Sequence, residues 1–305
     1  DRVVIAVSST MEATGWEQPL PKRLGDDLPE CRPEGYRVFV DVQRSGPPVV
    51  WALGADPRGT LYAVGALLRN LNWAAGRVAI AASLDIASAP RYPIRGHQLG
   101  YRALANSYDA WTPEQFDQYI RELAVFGVNS IENIPFQDAS RNPLMKFSRR
   151  EMNRRMSEIC ARYDMDYWVF APADFDLNNT ALRDEMLEQL EQLFRDCPRM
   201  DAVFFPGGDP GDNPPELALP YMADIAERLL PLHPDARIWL SLLGFDKAQV
   251  DYVFAYLEAE APDWFGGLVA DTSGPPILET RKRLPARYRL RLYPDITHNK
   301  LSQFE

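Results

Sequence analysis

The chain reads as an α/β protein: a parallel (β/α)8-type barrel of the TIM kind, incomplete at its C-terminus, preceded by a small α/β domain. Three observations predict this. From Ile94 onward, short apolar runs alternate with amphipathic helical segments, mostly at intervals of about 30 to 40 residues, the size of one strand–helix–strand step. No tight-turn pair joins successive runs, so the strands are parallel. Finally, the runs stop abruptly in polar residues, most plainly at Val203-Phe204-Phe205-Pro206-Gly207-Gly208-Asp209-Pro210-Gly211-Asp212. In parallel α/β enzymes, the strand that ends this way delivers a carboxylate to the mouth.

Residues 1–90 form the front domain. Arg2–Val7, the cleanly alternating Tyr36–Val42, and Pro48–Leu53 read as strands. Gly54–Gly59 is a turn, and a helix runs from Thr60 to about Asn72 with Leu61, Val64, Leu67, Leu68 and Leu71 on one stripe. The prolines of Ala89-Pro90-Arg91-Tyr92-Pro93 mark the joint.

Residues 91–305 form the barrel. Strands begin near Ile94, Val128, Asp166, Asp201, Arg237, Gly267 and Arg287. Thr112-Pro113-Glu114-Gln115 is a capping box with proline in the first turn, and Gly127 closes that helix. Ser148 to Glu151 opens the next, which turns Met152, Met156, Ile159 and Tyr163 inward. Leu182, Met186, Leu190 and Leu193 line a third helix, Met222, Ile225 and Leu229 a fourth, and Val250, Val253, Phe254 and Leu257 a fifth. The count favours a closed barrel over a doubly wound sheet. Only seven residues follow His298, which leaves no room for an eighth strand. An open barrel would leave an apolar edge unpaired, so the expectation is a piece of a longer protein, cut after strand seven.

Bulk properties narrow the function. Net charge is −10, with no lysine or arginine block, which argues against nucleic acid as the ligand. No apolar run reaches the roughly 20 residues that span a bilayer. Cys31, Cys160 and Cys197 have neither disulfide nor zinc spacing. The chain starts at Asp1 without methionine, and an exported enzyme is the expectation.

The strand ends supply the candidates. The first gives His97, Tyr101 and Arg102; the second, Glu132 and Asn133; the third, Asp174; the fourth, Asp209 and Asp212. The fifth gives Phe245, the sixth Asp271, and the seventh Tyr293, Asp295 and His298. Carboxylates with aromatics between them suit sugar chemistry, in which one carboxyl protonates the leaving oxygen and a second attacks or activates water. Tyr101, Tyr293 or Phe245 would stack on a pyranose, and Arg102 would bind hydroxyls or an acidic sugar. Structural alternatives stand beside each role. Asp209 can cap a helix, Glu132 can pair with Arg95 or Arg102, Asp271 can form a turn, Asp295 and His298 can belong to a loop, and His97 can be a buried, satisfied histidine. His233 reads as a helix-end or loop residue. A divalent site from His97, Asp209, Asp295 and His298 lacks any short metal motif, so neither metal nor cofactor is expected.

Three segments resemble glycoside hydrolases that carry a small α/β domain before a TIM barrel, the family 20 hexosaminidases and the family 67 α-glucuronidases. Ala55-Asp56-Pro57-Arg58-Gly59-Thr60-Leu61-Tyr62-Ala63-Val64-Gly65-Ala66-Leu67-Leu68 resembles the turn and helix that end their zincin-like front domain. Pro93-Ile94-Arg95-Gly96 resembles the family 20 barrel entry, and Val128-Asn129-Ser130-Ile131-Glu132-Asn133 the second strand of the glucuronidases. The family 20 acidic pair after strand four is absent from Gly207-Gly208-Asp209-Pro210-Gly211. The resemblance therefore implies an acid at Asp209, by position with the glucuronidase glutamate.

The reading is a glycosidase with Asp209 as general acid, its pKa raised by a wall of Phe204 and Phe205 or by a neighbouring carboxylate. Asp295 is the first choice for the second carboxylate, with Asp271 and Glu132 behind it. His97, Tyr101, Arg102, Asn133, Tyr293 and His298 are the candidate sugar contacts. A carbohydrate-binding barrel without activity is the alternative, and a lyase or isomerase with a His97 or His298 base is a third.

Overall fold

The computed structural model describes residues 3–9, 28–42, 46–100, 111–134, 143–270 and 274–293. The chain divides into two compact units, Asp1–Arg95 with Gln118–Asn129, and Gly96–Asp117 with Ser130–Glu305.

The first unit is built on a four-stranded sheet, order β1-β3-β2-β6. Its strands are β1 (Val4–Ser9), β2 (Tyr36–Asp41), β3 (Val49–Gly54) and β6 (Asp85–Ser88). β1 and β3 are parallel and the other pairs antiparallel. A separate hairpin pairs β4 (Asn72–Ala74) with β5 (Arg77–Ala79). The hairpin and β6 are too short for alternation to reveal in the sequence. Helix α1 (Pro57–Arg69) starts earlier than its apolar stripe because Asp56 caps it, accepting from the Gly59 N–H at 2.8 Å. Its Ala63, Ala66 and Leu67 pack on Val38, Val50 and Ala52 of the sheet.

One ionic knot organises this unit. The Glu34 carboxylate receives Arg95 Nη2 at 2.7 Å, Arg58 Nη1 at 3.2 Å and Asn129 Nδ2 at 3.1 Å. Arg95 also donates to the Gly127 and Tyr92 carbonyls and to the Tyr62 hydroxyl. The sequence offered Arg95 as a partner for Glu132; its guanidinium is instead committed here.

The second unit is one curled sheet of seven parallel strands in sequence order, an incomplete barrel. The strands are β7 (Gly96–Gly100), β8 (Ser130–Ile134), β9 (Asp166–Phe170), β10 (Ala202–Phe205), β11 (Arg237–Ser241), β12 (Phe265–Ala270) and β13 (Arg289–Leu292). Between them run α2 (Pro113–Val125), α3 (Arg149–Arg162), α4 (Thr180–Asp196), α5 (Pro215–Leu229), α6 (Lys247–Ala259) and the short α7 (Ile277–Arg283). The expected capping box is present: Thr112 N–H donates to Gln115 Oε1 at 2.9 Å, and Gln115 N–H to Thr112 Oγ1 at 3.4 Å. Asp246 and Gln249 form a second box on α6. His233 lies in the loop after α5, its ring bonded to the Phe194 carbonyl.

Alternation along the strands sorts the side chains. One face sends Tyr167, Val169, Val203, Phe205, Ile238, Leu240 and Leu268 into the fully buried core that the apolar stripes of α3 to α6 complete. Register places Gln98, Glu132 and Trp168 side by side on the other face, and Phe204 beside Trp239. This second face lines the interior of the curl.

Candidate active site

The interior face of the second unit carries a polar chain among aromatic rings. Glu132 is 1% exposed. It accepts from Gln98 Nε2 on β7 and from Arg291 Nη1 on β13, both at 2.5 Å. The Tyr293 hydroxyl, one residue beyond β13, donates to Gln98 Oε1 at 2.5 Å. These contacts join the first and second strands to the seventh, so the curl brings its two edges face to face. The Arg291 guanidinium lies over Trp168, 4.5 Å from the ring centroid, and 5.9 Å from that of Phe204. Trp168 leans on Trp239 at 5.0 Å, and Phe204 meets Phe170 edge-on at 5.4 Å. Trp168, Phe204 and Trp239 are buried, so the rings form a packed floor rather than open stacking surfaces.

Above the floor, the loop after β10 is fixed from both sides. The Gly208 N–H donates to the Leu243 carbonyl after β11. Asn213, buried, donates to the Ala173 and Phe175 carbonyls after β9 and accepts from the Leu177 N–H at 2.9 Å. At Gly211 (φ +114°), a Cβ would sit 1.8 Å from the Ala173 carbonyl oxygen. At Gly208, a Cβ would crowd Gly244 and come within 3.2 Å of Phe245 Cδ1. Glycine is therefore what lets three neighbouring loops touch. Asp209 sits on this platform, exposed, next to Gly208, against which the half-buried Phe245 ring rests.

These positions sort the sequence candidates. Glu132 and Tyr293 share the interior face. Asn133 points the other way: it is fully buried against the helix layer, where its Nδ2 donates to the Tyr167 hydroxyl, which in turn donates to Asn153 Oδ1 on α3. His97 also sits on the face opposite Gln98, because neighbours in a strand alternate, and burial lowers its imidazole pKa from the usual 6.5. Neither residue faces the interior, so neither is placed as an interior sugar contact or base. Glu132 is paired with Arg291, and Arg95 with Glu34. Phe204 and Phe205 cannot form one wall around Asp209, since Phe205 faces the helices with its ring 6.1 Å from that of Tyr221. Asp174 is exposed. Tyr101, Arg102, Asp271, Asp295 and His298 lie outside the described residues.

Arg291, Gln98, Trp168 and Asn213 were missed as site residues. A signal for Arg291 was present: Arg289-Leu290-Arg291-Leu292 alternates basic and apolar residues, which puts both arginines on one face.

No family model matches this chain, and no curated protein matches it. Solved structures do match its fold. The family 20 β-N-acetylhexosaminidase of Streptomyces coelicolor A3(2) superposes with TM-score 0.51 and 13% identity, over 77% of this chain and 59% of that one. The structure of CpGH84B, a family 84 glycoside hydrolase, gives 0.58 and 14%, over 90% and 48%. The family 20 exo-β-N-acetylglucosaminidase of Vibrio harveyi, as an inactive mutant, gives 0.57 and 12%, over 86% and 50%. The chain thus spans about half to three-fifths of the length of these structures. The likeness is one of fold, and the fold is that of glycoside hydrolases. It supports the glycoside hydrolase fold that the resemblance implies and singles out no one family.

Proposed function

We propose that this chain is the greater part of a glycoside hydrolase that cleaves an O-glycosidic bond of an oligo- or polysaccharide, with Asp209 as general acid. The observation that carries the reading is the platform under Asp209. An exposed carboxylate stands at the carboxyl end of a central parallel strand, on a loop held by both neighbouring loops, with the Phe245 ring near the preceding Gly208. Such rigidity holds a proton donor against one substrate oxygen. Asp295 remains our first choice for the second carboxylate, with Asp271 behind it. Glu132 ranks last because Gln98 and Arg291 already occupy both of its oxygens; it serves better as a hydroxyl acceptor. Separations of about 5 Å give retention and about 6.5–9.5 Å inversion. We read residues 1–90 as the hexosaminidase-type front domain and residues 91–305 as the barrel.

The test is a panel of aryl glycosides. Asp209→Asn should lower turnover of nitrophenyl substrates by about 10²–10⁴. Dinitrophenyl leaving groups, which need little protonation, should recover most of the loss. Equal losses on both would reject Asp209 as the acid. A second reading, a barrel that binds carbohydrate without cleaving it, draws on the paired state of Glu132 and the exposure of Asp209. Sugar binding without turnover across the panel would establish it.

A further inference from the structure

We propose that Arg291 is a specificity-determining residue that reads an uncharged oxygen of the sugar, a ring hydroxyl or an exocyclic carbonyl, at a subsite between β7, β8 and β13. The proposal rests on the carbohydrate reading above and names its substrate class.

Two lines of observation support it. The first is unused donors. The Arg291 side chain is 9% exposed, and among the described residues only its Nη1 has a hydrogen-bond partner, Glu132 Oε2. Guanidinium carries five N–H donors, and those on Nε and Nη2 keep contact with solvent, where a ligand can reach them. The rings of Trp168 and Phe204 lie against the guanidinium, which leaves its in-plane edge for a ligand. Beneath it the Trp168 indole Nε1 is buried with no hydrogen-bond partner among the described residues. The place is rich in donors and short of acceptors.

The second line is charge. Glu132, 1% exposed, already neutralises the guanidinium. Asp174 and Asp209 stand exposed at the ends of β9 and β10. A uronate would bring an uncompensated negative charge into an already balanced pair, at a desolvation cost. A hydroxyl or carbonyl takes the donors without that cost, and a hydroxyl can also donate to Glu132.

The experiment measures binding of methyl glycosides of glucose, galactose and N-acetylglucosamine against methyl glucuronide and methyl galacturonide at pH 7. At least one uncharged glycoside should bind about tenfold or more tighter than either uronide. The double variant R291Q/E132Q removes both charges together, since R291Q alone would strand a buried carboxylate. While melting cooperatively, it should lose about tenfold in affinity for that glycoside and most of the discrimination. Uronides bound as tightly as the uncharged sugars, no binding of any glycoside, or a well-folded double variant with unchanged affinities would each overturn the assignment. The wild-type comparison stands even if the variant fails to fold. Turnover is read separately. Selective binding of uncharged sugar without hydrolysis supports Arg291 and removes the enzymatic reading, while hydrolysis of aryl uronides alone keeps an enzyme and removes Arg291.

Discussion

The Tyr293 hydroxyl donates to the amide oxygen of Gln98 at 2.5 Å, across 195 residues of sequence. With the Arg291–Glu132 pair, this contact joins strands at opposite edges of one sheet, β7 and β13, through side chains. It therefore reports on the curl itself. Tyr293→Phe removes one buried-side hydrogen bond, and should cost about 1 kcal/mol. A urea titration checks this as a lower midpoint with an unchanged slope. An unchanged midpoint would mean that the contact does not hold the edges together.

The platform under Asp209 gives a sharper contrast. Gly211→Ala would drive a Cβ to 1.8 Å from the Ala173 carbonyl oxygen at φ +114°, so the loop must move. A loss of about 2–4 kcal/mol is expected. Asp209→Asn has nothing to break, because the side chain is exposed and no described residue bonds to it, so its stability should stay within about 0.5 kcal/mol. Thermal melts of the two variants side by side test this; equal losses would contradict the platform.

Asn213→Ala tests positioning rather than packing. The buried amide holds the Ala173 and Phe175 carbonyls and the Leu177 N–H. Truncation leaves those groups unpaired at a cost of about 1–3 kcal/mol. If Asp209 is the acid, kcat should fall while KM moves less, because the loop carries the proton donor and not the sugar. A loss confined to stability would show that the loop keeps its geometry without the clamp.

The strands and helices were legible because periodicity and strand spacing are local properties. The side on which a residue acts was not. Val128 to Asn133 offers Glu132 and Asn133 as neighbours, and with period two only one can face the interior. Both faces of a parallel strand are buried, so apolar alternation does not mark the choice. Ile131 on the helix side settles it only once the structure is known. The partner of Glu132 was equally hidden, because Arg291 lies 159 residues away and only the curl of the sheet brings them together. The shape of the β10 loop was half legible: its glycines announced tight contact, but not which carbonyls they approach.

The knot at Glu34 predicts a local loss in the first unit. Arg95→Met deletes donors to Glu34, to the Gly127 and Tyr92 carbonyls and to Tyr62. The pair is partly exposed, so the cost is on the order of 2 kcal/mol, below that of a fully buried pair. Faster amide exchange across β2 and β3 is the readout. Protection equal to wild type would show that the knot is ornamental to the unit's stability.

Tyr62, on α1, makes stability fall in alkali. Burial chiefly, then the Glu34 charge, pushes its phenol up from 10 to about 12, against the opposing pull of Arg95 and Arg58. The folded chain thus keeps a proton that the unfolded chain releases between pH 10 and about 12. The unfolded state binds fewer protons there, so stability is fully present below pH 10 and is lost as pH rises through that window. Allowing for solvent screening, the loss from this group is on the order of 1–2 kcal/mol. Tyr167 and Tyr221, raised mainly by burial as well, add to the same limb. Tyr62→Phe should therefore make the alkaline decline shallower without abolishing it, while costing about 1 kcal/mol at neutral pH for the bonds to Arg95 and Val128. Urea midpoints at pH 8, 10, 11 and 12 separate the two effects. Parallel declines in variant and wild type would mean that Tyr62 titrates as it does in the unfolded chain.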